Sequence, residues 1–544
     1  MSTEPISQDS ISIDQATSPT SRNQTEVYAV HGADPEVLAY AMAKYSRSSL
    51  SMRESLAEIS AQRAEQFLNT FYFQYGHRSI ADLAHVAFAV ERLSLLAAIE
   101  LVDEQRWDGQ ERSTRYQNFA KSGWYLPDLG GDRNAETLYT ETVGELFAAY
   151  QKTTAAVFTA LEARIPRPAE MEAGVFARTL KARAFDVARY LLPLATNTSV
   201  GQIVNARTLE TQVSRLLSHP AAEVRDLGRR LRDAATGPAW SVDAAAGQAL
   251  VDRLSGESSG EVADSALAAE AARLLTREVR TAPTLVKYAE ANAYIQQTRA
   301  ELGEVARELL DGVAMSSAPV VDLVERTESL EVEVAATLLY SASHHSYRQI
   351  RDLVGGLAES RIGEIIEVGL RYRGKHDECL RAFHAGAALR FDILMDVGGF
   401  RDMHRHRRCT QIIQGFTALH GYETPESGDL AEGNILAEAG VLAEYRKALD
   451  GAHEASGRLA RSSVPEAATS ALYLLPLATR IRSLFKMDFA EAQYITELRS
   501  GPAGHFSYRR VAWEMYQAFA RQHPTLARHV RVTDFRQPID LLKR

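Results

Sequence analysis

Long stretches of the chain set apolar residues three and four positions apart, the spacing that gives a helix one apolar face. Glu54 to Phe73 and Leu138 to Leu161 read this way. In each half the pattern then changes. HVAFAVERLSLL, from His85 to Leu96, and LRFDILMDVGGF, from Leu389 to Phe400, are richer in β-branched and aromatic residues. They predict a strand that runs into a helix or turn. The fold class expected is α/β (α+β), each half carrying a small, mostly antiparallel sheet and several long helices.

The chain also repeats itself. The heptapeptide YLLPLAT occurs at Tyr190 to Thr196 and again at Tyr473 to Thr479. AMAKYSRSSLSMRESL, from Ala41 to Leu56, resembles TLLYSASHHSYRQI, from Thr337 to Ile350, through Tyr-Ser, a further Ser, and an aromatic or Met before Arg. Recurrence in the same order over such a distance predicts two duplicated domains and not a short solenoid repeat. Between them, Asp252 to Leu275 is rich in Ser and Gly at first and Ala-rich afterwards. The expected organisation is a leader over 1–25, a first domain over 26–254, a junction over 255–280 and a second domain over 281–544.

Composition narrows the classes. At 544 residues and 45% hydrophobic the chain is too large for one compact unit. Residues 1–25 are polar, rich in Ser, Thr and Gln, and lack the apolar run of a signal peptide, so a disordered leader is expected. No apolar run reaches the roughly 20 residues of a membrane span. The net charge of −9 argues against a protein that coats nucleic acid. Cys379 and Cys409 are the two cysteines, too few for a disulfide framework or a paired-cysteine zinc site. A soluble, cytoplasmic protein with no membrane and no nucleic-acid partner is expected.

Four clusters carry candidate chemistry: GHRSIAD (Gly76–Asp82), QERSTRYQNF (Gln110–Phe119), NARTLETQVSRLLSH (Asn205–His219) and RDMHRHRRCTQIIQGF (Arg401–Phe416). In the second, Ser113 and Arg115 can both donate to a phosphate, and Glu111 can accept from a sugar hydroxyl. On spacing alone the ordinary reading is a solvated turn of mixed charge. In the fourth, Arg405, His406, Arg407 and Arg408 suit phosphates or a ring with acceptor atoms. An exposed basic face would look the same, and an RNA contact would need interleaved aromatic residues that are missing. Cys409 reads as a small buried hydrophobe before it reads as a nucleophile. His77 and His85, taken singly, read as structural.

Taken together, the clusters resemble the flavin-dependent thymidylate synthases. Their signature is Arg-His-Arg-x-x-Ser, four residues, then Ser-x-Arg. Gly-His-x-Ser-x-x-Glu-His precedes it, and Arg-x-x-Leu-Pro, Asn-Ala-Arg and a further Arg follow. The two halves match different pieces. In the first, Gly76, His77 and Ser79 match the leading stretch, while the Arg-His-Arg positions fall on Asp103, Glu104 and Gln105. Glu111, Ser113, Arg115 and Tyr116 match around Ser-x-Arg; Arg189 precedes Leu192-Pro193; Asn205 and Arg207 match Asn-Ala-Arg; Arg215 matches the further arginine. In the second, Arg405, His406 and Arg407 match Arg-His-Arg, but Gly415 and Thr417 replace Ser-x-Arg. Asp402 stands where the family has a nucleotide-binding Gln, Leu472 replaces the arginine before Leu-Pro, and Asp488 and Ala490 replace Asn and Arg. Arg401 and Arg499 still match.

The resemblance implies reductive methylation of dUMP to dTMP, with FAD as cofactor and methylenetetrahydrofolate and NADPH as co-substrates. It implies sites between subunits of a tetramer, which a homodimer of fused chains would rebuild. One composite site is expected. Glu111, Ser113, Arg115, Arg189 and Arg215 would bind dUMP, and Arg215 would also polarise the uracil. His77, Arg405, His406, Arg407, Asn205 and Arg207 would bind FAD. No metal is expected. A flavin enzyme for another pyrimidine nucleotide and a non-catalytic flavin- or nucleotide-binding protein are the alternatives.

Overall fold

The computed structural model describes residues 32–44, 56, 78–255, 265–316, 318–325, 329–374, 377, 380–383, 389–425, 434–528 and 530–542. The leader, most of the helix expected over Glu54 to Phe73, Gly76, His77 and Cys379 lie outside them.

The two pattern changes are strands that end in helices. β1 (His85–Ser94) leads into α1 (Leu95–Val102), and β5 (Leu389–Asp396) leads into α2 (Val397–Met403). The switch is made by the last strand residue. Ser94 accepts the Ala97 N–H at 2.9 Å, and Asp396 accepts the Gly399 N–H at 2.6 Å, each occupying a donor that the first helical turn leaves unpaired. A second matched pair follows. β3 (Asn197–Asn205) ends at Asn205, which caps α3 (Ala206–Leu217) through the Thr208 N–H. β7 (Arg480–Met487) is followed by Asp488, which caps α4 (Phe489–Arg499) through the Glu491 N–H. Asn and Asp are both good caps, so this junction survives the substitution in the second half.

Both sheets are antiparallel. In the first half the order is β1-β3-β2, with β2 at Asp108–Glu111. In the second it is β4-β5-β7-β6, with β4 at Val321–Leu323 and β6 at Thr410–Ile413. The expected mixed fold is what forms, with long helices such as Arg133–Arg164 containing the predicted Leu138–Leu161. No helix among the described residues is long and apolar enough to cross a membrane.

The repeated heptapeptides meet each other. Leu194 N–H donates to Leu475 O and Leu477 N–H to Leu192 O, both at 2.9 Å. Ala195 donates to Tyr473 O at 2.9 Å, and Ala478 to Tyr190 O at 3.2 Å. The bonds form two reciprocal pairs about an antiparallel bridge between Pro193 and Pro476. Identical sequence is what a two-fold contact uses, because each copy must present the same surface to the other. Both copies are buried throughout, inside one hydrophobic core that takes residues from both halves. A smaller core lies in the second half alone.

Candidate active site

α2 ends at Met403, and the chain turns through Arg405, His406 and Arg407 before entering β6. These three line a cavity of about 460 Å³ with Arg408 and with Glu491, Tyr494, Leu498 and Arg499 of α4. Arg405 is exposed, Arg407 half-buried and His406 buried. His406 Nε2 accepts from Arg499 Nε at 2.7 Å, and Nδ1 lies 3.6 Å from Glu491 Oε1. Burial lowers the His406 pKa, so the ring is neutral and Nδ1 carries its hydrogen toward Glu491.

Arg407 also faces the first half. Its guanidinium carbon lies 4.9 Å from the Trp107 ring centre, and Nη2 is 3.5 Å from Asp108. Here it borders a second cavity of about 350 Å³, whose walls include His85, Trp107, Ile203 and Asn205. The two cavities therefore meet at Arg407. Cys409, just beyond, is inert. Its thiol is buried, pushed up to about 12 by burial, and donates to His406 O at 3.0 Å.

The loop after β2 crosses to the second half. Glu111 pairs with Arg401, both nearly buried. Ser113 Oγ accepts the Arg115 N–H at 3.2 Å. Arg115 is buried and almost fully committed: Nε and Nη2 donate to Asp186 at 2.7 and 3.2 Å, Nη1 to Tyr508 OH at 2.7 Å, and Nη2 to Ala503 O at 3.2 Å. The Tyr508 ring lies between Arg115, at 5.7 Å, and Arg499, at 5.4 Å. Arg189 is buried 3.5 Å from Asp402, and its Nε and Nη2 have no hydrogen-bond partner among the described residues. Glu111, Ser113, Arg115 and Arg189 are thus gathered with Arg401, Asp402 and Tyr508 of the second half, and Tyr508 links them to Arg499 and His406.

Arg215 and Arg207 sit in different company. Arg215 is taken up by acids at the end of α1: Nε and Nη2 reach Glu104 Oε1 at 3.0 and 2.8 Å, Nη2 donates to Glu100 O at 2.8 Å, and Nη1 is 3.6 Å from Glu100 Oε2. Arg499, and not Arg215, stands beside His406. Arg207 pairs with Asp82 at 3.4 Å, while Asn205 caps α3 and borders the smaller cavity. Trp107, Tyr494 and Tyr508 were not singled out by sequence. Trp107, two residues after the lost Arg-His-Arg positions, was the one with a usable signal. Among the described residues no group of three or more His, Cys, Asp or Glu could hold a metal.

A family model described as thymidylate synthase complementing protein matches residues 29–237 and 322–525. The chain is 26% identical to the UPF0159 protein of Chlamydia muridarum over 543 residues, which spans 92% of this chain and 91% of that one. It is 24% identical to the UPF0159 protein Ta1429 of Thermoplasma acidophilum over 530 residues, 91% and 94% of the two chains. A flavin-dependent thymidylate synthase of Clostridium tetani is 25% identical over 177 residues, 32% of this chain and 67% of its own. Solved structures that are similar include a flavin dependent thymidylate synthase from Helicobacter pylori complexed with FAD and dUMP. That structure is 20% identical with a TM-score of 0.23, covering 37% of this chain and 89% of its own. A UMP/dUMP methylase from Streptomyces cacaoi bound with 5-Br dUMP is 16% identical with a TM-score of 0.26, covering 37% and 84%.

Proposed function

The chain belongs to the thymidylate synthase complementing protein family, and from that premise we propose that it converts dUMP to dTMP by reductive methylation, with bound FAD, methylenetetrahydrofolate and NADPH. The reaction takes place at one composite site between the halves. The observation that carries this reading is the pair of cavities meeting at Arg407, one walled by Arg405, His406 and Arg499, the other by Trp107 and Asn205.

The residues suit a flavin dinucleotide. Four arginines and one acid, Glu491, border the larger cavity, a donor set for a pyrophosphate. Exposed Tyr494 and Leu498 beside it, and Trp107 beyond Arg407, offer apolar surface for rings. FAD, when bound, supplies the hydride. Arg405 and Arg407 hold its phosphates. His406, fixed between Arg499 and Glu491, offers a neutral edge of set tautomer.

On the nucleotide side, the partnerless Nε and Nη2 of Arg189 are donors for a phosphate or sugar oxygen. Ser113 supplies a hydroxyl, and Glu111 with Arg401 shapes the wall. We assign uracil polarisation to Arg499, because Arg215 is already neutralised by Glu100 and Glu104. Two chains pair as a homodimer that restores a four-domain assembly. Asp402 favours a second reading, another pyrimidine nucleotide, since a carboxylate beside Arg189 accepts but never donates.

The test is product formation. FAD-loaded protein given dUMP, methylenetetrahydrofolate and NADPH is expected to yield dTMP and to support growth of a thymidine-requiring host. Methylation of another pyrimidine nucleotide alone selects the second reading. No product with flavin bound selects a non-catalytic protein.

A further inference from the structure

The turn that carries Arg405, His406 and Arg407 is held from behind by a relay that begins in the other half. Gln411 is 4% exposed. Its Nε2 donates to His406 O at 2.8 Å, and its Oε1 lies 2.8 Å from His404 Nδ1. Since the amide nitrogen is committed to a carbonyl, the amide oxygen accepts and His404 Nδ1 carries the hydrogen. The opposite ring nitrogen, Nε2, is buried without a hydrogen-bond partner among the described residues, 3.5 Å from Asp103 Oδ1.

Asp103 comes from the end of α1 in the first half. Arg381 clamps it: Nη1 donates to Asp103 Oδ1 at 2.5 Å and Nη2 to Asp103 O at 3.1 Å. The same Nη1 reaches Gln411 O at 3.3 Å. Side chain and main chain of Asp103 are thereby tied to the main chain of Gln411, whose side chain ties the main chain of His406. Burial acts to raise the Asp103 carboxyl, but the Arg381 guanidinium beside it holds it well below the usual carboxylate range.

Asp103 occupies the first of the three positions at which the first half has lost Arg-His-Arg. We propose that this lost motif has become a positioning device for the surviving one. Asp103, acting through Arg381 and Gln411, fixes the main chain that presents Arg405, His406 and Arg407. The proposal deepens the flavin-site reading above and rests on it for its ligand. Asp103 is a positioning residue and borders neither of the two cavities. The pair with Arg381 is mostly buried, the side chains 20% and 26% exposed, so removing the carboxylate alone also costs stability by leaving a cation uncompensated.

The test compares full-length protein with Asp103→Asn and with Asp103→Asn/Arg381→Met, which also removes the cation left unpaired. Amide hydrogen exchange over residues 404–411 is measured without ligand, FAD affinity by flavin fluorescence, and the thermal midpoint by calorimetry. Both variants are expected to exchange faster at His406 and Gln411 and to bind FAD about 10-fold more weakly, as when a group that orients a binding residue is lost. Asp103→Glu, which keeps the charge, restores most of the affinity, and in the double variant the affinity loss persists while the thermal midpoint recovers toward that of the parent. Unchanged exchange and affinity in both variants would overturn the proposal. So would losses that appear only with a general fall in thermal stability. A parent protein that binds no FAD defeats the functional reading instead, and the exchange measurement still decides the role of Asp103.

Discussion

Arg115→Ala is the sharpest probe of what anchors the loop after β2. The guanidinium is 7% exposed and donates to Asp186 twice, to Tyr508 and to Ala503 O. Alanine strips all four bonds and leaves Asp186, 3% exposed, with its nearest cation gone. Removing one partner of a buried ion pair typically destabilises by about 3–5 kcal/mol. Arg183 Nη1 remains 4.0 Å from Asp186, so the lower end, about 3 kcal/mol, applies. Replacing both charges, as Arg115→Met/Asp186→Leu, should recover most of that, since the desolvation of each ion is relieved together with the loss of their attraction. Urea unfolding followed by tryptophan fluorescence reads both numbers. If Arg115→Ala unfolds within about 0.5 kcal/mol of the parent, the range of ordinary surface substitutions, the buried pair is not what anchors the loop after β2.

Other expectations follow from the same geometry. Arg499→Met should lower dTMP formation by about 100-fold or more, as loss of a charge-stabilising donor does, while Arg215→Met should leave KM for dUMP within about threefold and act on stability; steady-state kinetics separates them. Cys409 should resist iodoacetamide at pH 8 in folded protein and react on unfolding, by peptide mass spectrometry, because its thiol sits near 12. His420 is lowered from 6.5 to about 4 by burial, with Arg482 and His344 adding to it. A folded pKa below the unfolded one gives stability that is present above about pH 6.5 and lost as pH falls toward 4. Thermal midpoints over that range should drop, and His420→Gln should flatten the drop.

The strand-to-helix switches were legible because both stretches are rich in β-branched and aromatic residues, a local signal, although the caps Ser94 and Asp396 that make the switch were not singled out. The heptapeptides showed that something recurs. That they pair with each other is a contact between distant segments, which no local pattern encodes. The same holds for the site. Position in a motif identifies Arg215 and Arg499 as equivalents, but the packing of the halves decides which of them stands beside His406. Arg115 reads as a phosphate donor in sequence because Asp186 lies 71 residues away and Tyr508 lies in the other half. Gly76 and His77 of the leading motif fall outside the described residues, so their part in the site stays an expectation from sequence.

The central claim is one composite site that takes flavin and nucleotide together. The most direct measurement is the absorbance spectrum of FAD-reconstituted protein from 300 to 550 nm, titrated with dUMP, with Arg407→Ala alongside. The account predicts a retained flavin whose bands shift on adding dUMP, and a variant that fails to retain it. A parent protein that stays colourless, or a flavin whose bands ignore saturating dUMP, would contradict it.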